Sequence, residues 1–118
     1  MPLKIYQYPK CSTCRNALKF LEANNIAYTS IDITEKPPTK AELKQMLKFQ
    51  KSELRKLFNT SGVQYRELKM KDNLPTMTDA EAIDLLSQNG KLIKRPFLLS
   101  KSTGLLGFKE DAWQESLL

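Results

Sequence analysis

The stretch Leu3-Lys4-Ile5-Tyr6-Gln7-Tyr8-Pro9-Lys10-Cys11-Ser12-Thr13-Cys14-Arg15 decides the fold. Its first six residues alternate apolar and polar, the period of a strand, and Pro9 ends the run because it has no amide hydrogen for a sheet ladder. Beyond Cys11 the period changes. Cys14, Ala17, Leu18 and Leu21 recur at i, i+3, i+4 and i+7, the spacing of one helical face, and Asn24-Asn25 closes the pattern. Ile26 to Ile33, with Tyr28, Ile31 and Ile33, reads as a second strand. Strand, helix and strand within roughly thirty residues make a βαβ unit, which predicts a parallel strand pair.

Downstream, Pro37-Pro38 interrupts the chain, and Thr39-Lys40-Ala41-Glu42 has the form of a capping box before a helix that buries Leu43, Met46 and Leu47. Ser52 is the expected cap of a short helix through Leu57-Phe58, Asn59 to Gly62 a turn, and Tyr65 to Met70 a further helical turn or two. A second capping box, Thr78-Asp79-Ala80-Glu81, opens a helix carrying Ile83, Leu85 and Leu86, with Gly90 as the expected C′ residue. Phe97-Leu98-Leu99, a turn over Ser100 to Gly104 and Leu105 to Phe108 predict a β-hairpin. Glu110 to Leu117 predicts a last helix with Ala112, Trp113 and Leu117 inward. This order is an α/β, thioredoxin-like (glutaredoxin-like) plan: a mixed four-stranded sheet with a helical insertion over about residues 38–90, in a single domain of residues 1–118.

No apolar run approaches the ~18 residues of a membrane span. Met1 to Lys10 lacks the apolar core of a leader, so a cytoplasmic location is expected. The chain contains no histidine, which excludes Ser-His-Asp and Cys-His nucleophile pairs and the commonest metal ligand. Its two cysteines cannot by themselves close a zinc site of about four ligands. The net charge of +6 is concentrated: Lys36 to Lys71 holds ten basic and three acidic residues, while Asp72 to Gly90 holds four acids and no base. The Lys40, Lys44 and Lys48 stripe is what the solvated face of a helix looks like, and it is also a surface for an acidic partner. With only four arginines and no aromatic ladder among the lysines, direct nucleic-acid binding is not expected.

Nucleophilic chemistry therefore falls to cysteine. Cys11-Ser12-Thr13-Cys14 is a Cys-x-x-Cys placed directly after a strand and at the opening of a helix. Residues i and i+3 share one face of a helical turn with Cβ atoms about 5–6 Å apart, so a small adjustment allows a disulfide. At the helix mouth the free N–H groups and the positive end of the macrodipole favour a thiolate on Cys11, with Lys10 and Arg15 expected to add positive charge. Cys14, one turn in and on the buried stripe, is the expected resolving thiol. The first-turn amides around Ser12, Thr13 and Arg15 also make an oxyanion cradle. Arg95, held extended by Pro96, is a further candidate to clamp negative charge.

Tyr6-x-Tyr8-Pro9-x-Cys11-x-x-Cys14-Arg15, Lys56-Leu57-Phe58-Asn59-Thr60-Ser61-Gly62, Tyr65-Arg66-Glu67-Leu68, Leu92-Ile93-Lys94-Arg95-Pro96 and Gly107-Phe108-Lys109-Glu110 together resemble the arsenate reductase (ArsC)/Spx/MgsR family, over nearly the whole chain. The resemblance implies a thioredoxin-like fold and a thiol–disulfide oxidoreductase with Cys11 as nucleophile. No bound cofactor is implied; glutathione with glutaredoxin, or thioredoxin, would serve as reductant. Cys14 departs from the glutaredoxin-coupled arsenate reductases and matches the Spx-type redox pair. Of the three arginines around arsenate in those enzymes, one falls on Arg95. Another falls at about Asn59, which is uncharged, and the third at about Phe108 or Lys109, where only Lys109 is cationic. A weak oxyanion site is expected. The alternative implied function is a redox-sensing regulator that binds the RNA polymerase α subunit, although the glycine used there in Spx falls near Glu53.

Overall fold

The computed structural model describes residues 3–118; Met1 and Pro2, part of the stretch read for a leader, lie outside the described residues. Strand β1 (Leu3–Gln7) leads into helix α1 (Ser12–Ala23) and strand β2 (Tyr28–Asp32). Helices α2 (Lys40–Phe49), α3 (Val63–Glu67), α4 (Met70–Asn73) and α5 (Asp79–Ser87) follow, with 3₁₀ turns at Leu54–Leu57, Leu74–Thr76 and Gly90–Leu92. Strands β3 (Phe97–Leu99) and β4 (Gly104–Leu106) and helix α6 (Glu110–Leu117) complete the chain. The sheet order is β2-β1-β3-β4, with β1 parallel to β2 and both remaining pairings antiparallel. This is the mixed four-stranded sheet that the sequence predicts.

The period-2 alternation of the central strands builds two cores. Ile5 and Leu98 face one side, where Ala17, Leu21 and Trp113 from α1 and α6 cover them. Tyr6, Phe97 and Leu99 face the other, under Leu43, Met46, Leu86 and Leu92 from the segment between β2 and β3. The Tyr6 and Phe97 rings meet edge to face at 5.7 Å. Burial of the Tyr6 ring leaves its hydroxyl in need of a partner, and it donates to Glu42 Oε1 at 2.7 Å. Glu42 also accepts from Lys4 at 3.1 Å and from the Thr39 amide at 3.0 Å, so one carboxylate ties α2 to the sheet and closes its own capping box. The second capping box is present at Thr78.

Five local expectations are corrected. Phe20 joins the fully buried stripe of α1, where it meets Trp113 and Phe108, while Leu18 packs only half-buried against the same core. Ser52 does not cap the turn that follows; it is left-handed at φ 64°, and Glu53 holds the cap position. The segment from Tyr65 to Met70 is broken by Lys69, also left-handed, into α3 and α4. Gly90 is not the left-handed C′ of α5: it begins the following 3₁₀ turn, and its hydrogen side chain is required because a Cβ would run into the Ile33 carbonyl. Ala112 is exposed; Trp113, donating from Nε1 to the Gly107 carbonyl at 3.1 Å, and the partly buried Leu117 hold α6 to the core.

Candidate active site

The chain leaves β1 and turns at Pro9, the Cys11 amide donating to the Tyr8 carbonyl at 3.0 Å. Cys11 is the N-cap of α1, with extended backbone angles of φ −93° and ψ 116°. Its Sγ accepts from the Cys14 amide at 3.3 Å. A sulfur thus occupies the place where a serine, threonine or aspartate oxygen usually satisfies a free amide. A negative sulfur there also gains from the helix dipole. Cys11 is half-buried, Cys14 is fully buried, and both are free thiols.

The two environments push the thiols in opposite directions. For Cys11, burial is the largest influence and disfavours the charged form. Hydrogen bonds from the Cys14 thiol and amide, with the positive charge and donors of Arg95, outweigh it and hold the thiol below its ordinary value of 9.0. For Cys14, burial dominates and the adjacent negative Cys11 adds to it, pushing the thiol up to about 12 against the opposing Tyr8 amide and Arg95 charge.

Arg95 reaches the site through sheet register. Tyr6 pairs with Phe97 across the antiparallel β1–β3 ladder, and continuing that register two residues outward sets Arg95 opposite Tyr8, beside the Cys11 turn. The Arg95 Cζ lies 5.1 Å from the centre of the Tyr8 ring. The Arg95–Pro96 peptide bond is cis.

Other sequence candidates are placed differently. Lys10 and Arg15 were expected to charge the helix mouth, yet Arg95 is the cation that acts on Cys11. The Arg15 guanidinium turns back to donate to the Pro9 carbonyl at 2.9 Å, where it braces the turn. Ser12 and Thr13 are exposed in the first turn of α1. Lys109 is the exposed N-cap of α6. Phe108 packs between Phe20 and Trp113, with ring centres 5.7 and 5.0 Å away, and is committed to the α1–α6 core. Asn59, by contrast, lines a cleft of about 440 Å³ together with Arg95, Tyr8 and residues of α3. Gln64 lines the same cleft. Sequence reasoning missed Tyr8 as the partner of Arg95, because their pairing rests on the long-range β1–β3 register. Among the described residues, no group of three or more Cys, Asp or Glu side chains gathers to hold a metal, and no helix is long and apolar enough to cross a membrane.

A model of the ArsC family matches residues 6–116. The uncharacterized protein YusI of Bacillus subtilis is 45% identical over 116 residues, 98% of each chain. The regulatory protein MgsR of Bacillus subtilis is 28% identical, covering 90% of this chain and 82% of its own. An arsenate reductase of Rhizobium meliloti is 31% identical, covering 85% and 70%. Among solved structures, an ArsC family related protein from Bacteroides fragilis superposes with a TM-score of 0.91 at 47% identity, covering 98% of this chain and 97% of the other.

Proposed function

Because the chain belongs to the ArsC family, we propose that it is a thiol–disulfide oxidoreductase of arsenate reductase-like type that works through Cys11 and Cys14. The observation that carries this reading is the opposed polarisation of two thiols one helical turn apart, a low one half exposed at a helix N-cap and a high one buried behind it. The Cys11 thiolate attacks one sulfur of a disulfide, forms a mixed disulfide and releases the other half as a thiolate. Capping Cys11 removes the negative charge that helps to hold the Cys14 proton. Cys14 then gives its proton to the medium or the departing sulfur and attacks Cys11. The Cys11–Cys14 bond forms, the second substrate half leaves as a thiolate, and two electrons have passed from protein to substrate. A small thiol or a dithiol protein, glutathione with glutaredoxin or thioredoxin, returns them. Arg95 stabilises the Cys11 thiolate, and Ser12 and Thr13 contribute first-turn amides to any oxyanion bound there.

Arsenate binds weakly in this reading, since Arg95 is the one matched guanidinium. Asn59 is neutral and Phe108 is committed to the aromatic core. The test is mass spectrometry of the reduced protein after mild oxidation. Wild type should lose two hydrogens and carry a Cys11–Cys14 cross-link, and Cys14→Ser should accumulate a glutathione adduct on Cys11. A wild-type protein that stays glutathionylated on Cys11 would remove Cys14 from the resolving role.

The likeness to MgsR and the exposed Lys44 and Lys48 favour a second reading, a redox-sensing regulator that binds RNA polymerase. Lys40 of the same face pairs with Asp84 at 2.8 Å. Polymerase capture that depends on the Cys11–Cys14 redox state would support this reading, and capture absent in both states would remove it.

A further inference from the structure

Arg95 is the cation that acts on Cys11, yet no charged group holds it in place. No carboxylate among the described residues pairs with it. An arginine has many rotamers, and its charge is useful at one sulfur only if something orders the side chain. What lies against the guanidinium is the Tyr8 ring, whose centre is 5.1 Å from Cζ, inside the roughly 6 Å over which a ring face attracts a cation. The ring is itself fixed. Tyr8 packs half-buried against the core that holds Tyr6 and Phe97. It stands two residues after Tyr6, and Arg95 stands two before Phe97, so ring and guanidinium meet as the next pair along the Tyr6–Phe97 row. The backbone of Tyr8 is tied to the same site, its carbonyl accepting from the Cys11 amide at 3.0 Å and its amide facing the Cys14 sulfur.

The use of a ring has an electrostatic consequence. A carboxylate in its place would order Arg95 by pairing with it and would cancel much of the charge felt by Cys11. A neutral ring attracts the cation through its quadrupole and leaves the whole positive charge to act on sulfur. Ring and guanidinium are both half-buried, so salt screens them less than it would at an open surface. We propose that Tyr8 is a positioning residue for Cys11, its ring face holding the Arg95 guanidinium at the helix mouth where the thiolate forms. The proposal rests on the oxidoreductase reading and deepens it. The Tyr8 side chain takes no part in sulfur exchange; it acts through Arg95.

The test is the pH profile of Cys11 alkylation by iodoacetamide, followed by peptide mass spectrometry, in wild type and in variants at position 8, each made with and without Arg95→Met. Tyr8→Leu keeps an apolar side chain and removes the ring, so its midpoint should rise by about half or more of the rise that Arg95→Met causes. Tyr8→Phe keeps the ring face and should retain the wild-type midpoint. Pentafluorophenylalanine in place of Tyr8 keeps the shape of the ring and reverses its quadrupole. It should raise the midpoint as Tyr8→Leu does, and it decides the matter if Tyr8→Leu fails to fold. In the Arg95→Met background, none of the three should move the midpoint further. An unchanged midpoint with the fluorinated ring, a rise with Tyr8→Phe as large as with Tyr8→Leu, or rises that persist in Arg95→Met would overturn the proposal, because the ring would then not act, or not act through Arg95. The opening of 2-hydroxyethyl disulfide and oxidised glutathione by wild type is measured alongside. A wild-type Cys11 that titrates low but opens neither would overturn the oxidoreductase reading, whereas failure of the proposal shows only in the variants and leaves wild-type turnover intact.

Discussion

Alkylation of the two cysteines gives the most direct measure of how differently the fold treats them. Cys14 is pushed up to about 12, so at about pH 7 only about one part in 10⁵ of it is thiolate. Cys11 lies below 9.0, so its thiolate fraction exceeds about one part in 10². The thiolate ratio is therefore at least about 10³. Part of this is returned, because a more basic thiolate is intrinsically more nucleophilic by a Brønsted coefficient of about 0.4–0.5, or roughly 15–30-fold over three pH units. The net advantage of Cys11 is at least about 30-fold before access is considered. Access widens it, since Cys14 is fully buried. The assay is a time course of iodoacetamide labelling of the reduced protein, with each cysteine followed by peptide mass spectrometry. The Cys11 rate should rise with pH and level off below 9.0, as expected of a thiol held under its ordinary value. Rates within threefold of each other, or a faster Cys14, would refute the reasoning, because neither the N-cap position nor the burial of Cys14 would then control reactivity.

Arg95→Met removes the cation that favours the Cys11 thiolate, so the ultraviolet thiolate titration of Cys11 should move to higher pH, and an unchanged titration would show that the N-cap amide alone sets it. Glu42→Ala should cost about 2–4 kcal/mol in urea unfolding, from a lost cap and the stranded hydroxyl of buried Tyr6. Burial raises the Glu42 pKa, but the Thr39 amide, the Tyr6 hydroxyl and Lys4 together hold it below its ordinary value. Its stabilisation is thus complete above the unfolded-state value of about 4.3 and fades as pH falls through the lower folded value, so the wild-type advantage over Glu42→Ala should shrink in acid. Asn59→Arg adds a guanidinium to the cleft that Arg95 lines, and should tighten arsenate binding roughly 10–100-fold in a titration. No tightening would mean that position 59 does not face the bound oxyanion.

The parts of the fold that were legible in the sequence are those written by periodicity and capping. The switch from period two before Pro9 to the helical stripe behind Cys11 located β1 and α1, and Thr39 and Thr78, each with a glutamate three residues on, located the starts of α2 and α5. What was hidden depends on contacts between distant segments. Gly90 has the composition of a helix terminator, but it is a glycine because the backbone after β2 passes against it. Lys69 breaks a helical stretch that contains no glycine or proline to announce the break. At the site, Cys11 and Cys14 could be placed because the helix mouth is a local structure. The relation of Arg95 to Tyr8 required the β1–β3 register, which is set only when the hairpin adds to the sheet. The role expected of Arg15 went to Arg95 for the same reason: a local neighbour found a nearer acceptor in Pro9, and a distant residue supplied the charge.

Without a histidine, the protein has no side chain that shuttles protons near neutral pH, and the site is built so that none is required. Cys11 needs no general base, because its proton is already disfavoured by an amide at the helix N-cap and by Arg95. Cys14 is kept inert by burial and by the charge on Cys11, and that second restraint disappears when Cys11 becomes covalently occupied. In the proposed reaction, the resolving thiol is thereby activated by the step that makes resolution necessary. This sequence of events suits a disulfide, whose two halves leave one after the other as thiolates. It suits a trianion less well, since binding one would require more positive charge around Cys11 than the single guanidinium of Arg95 provides.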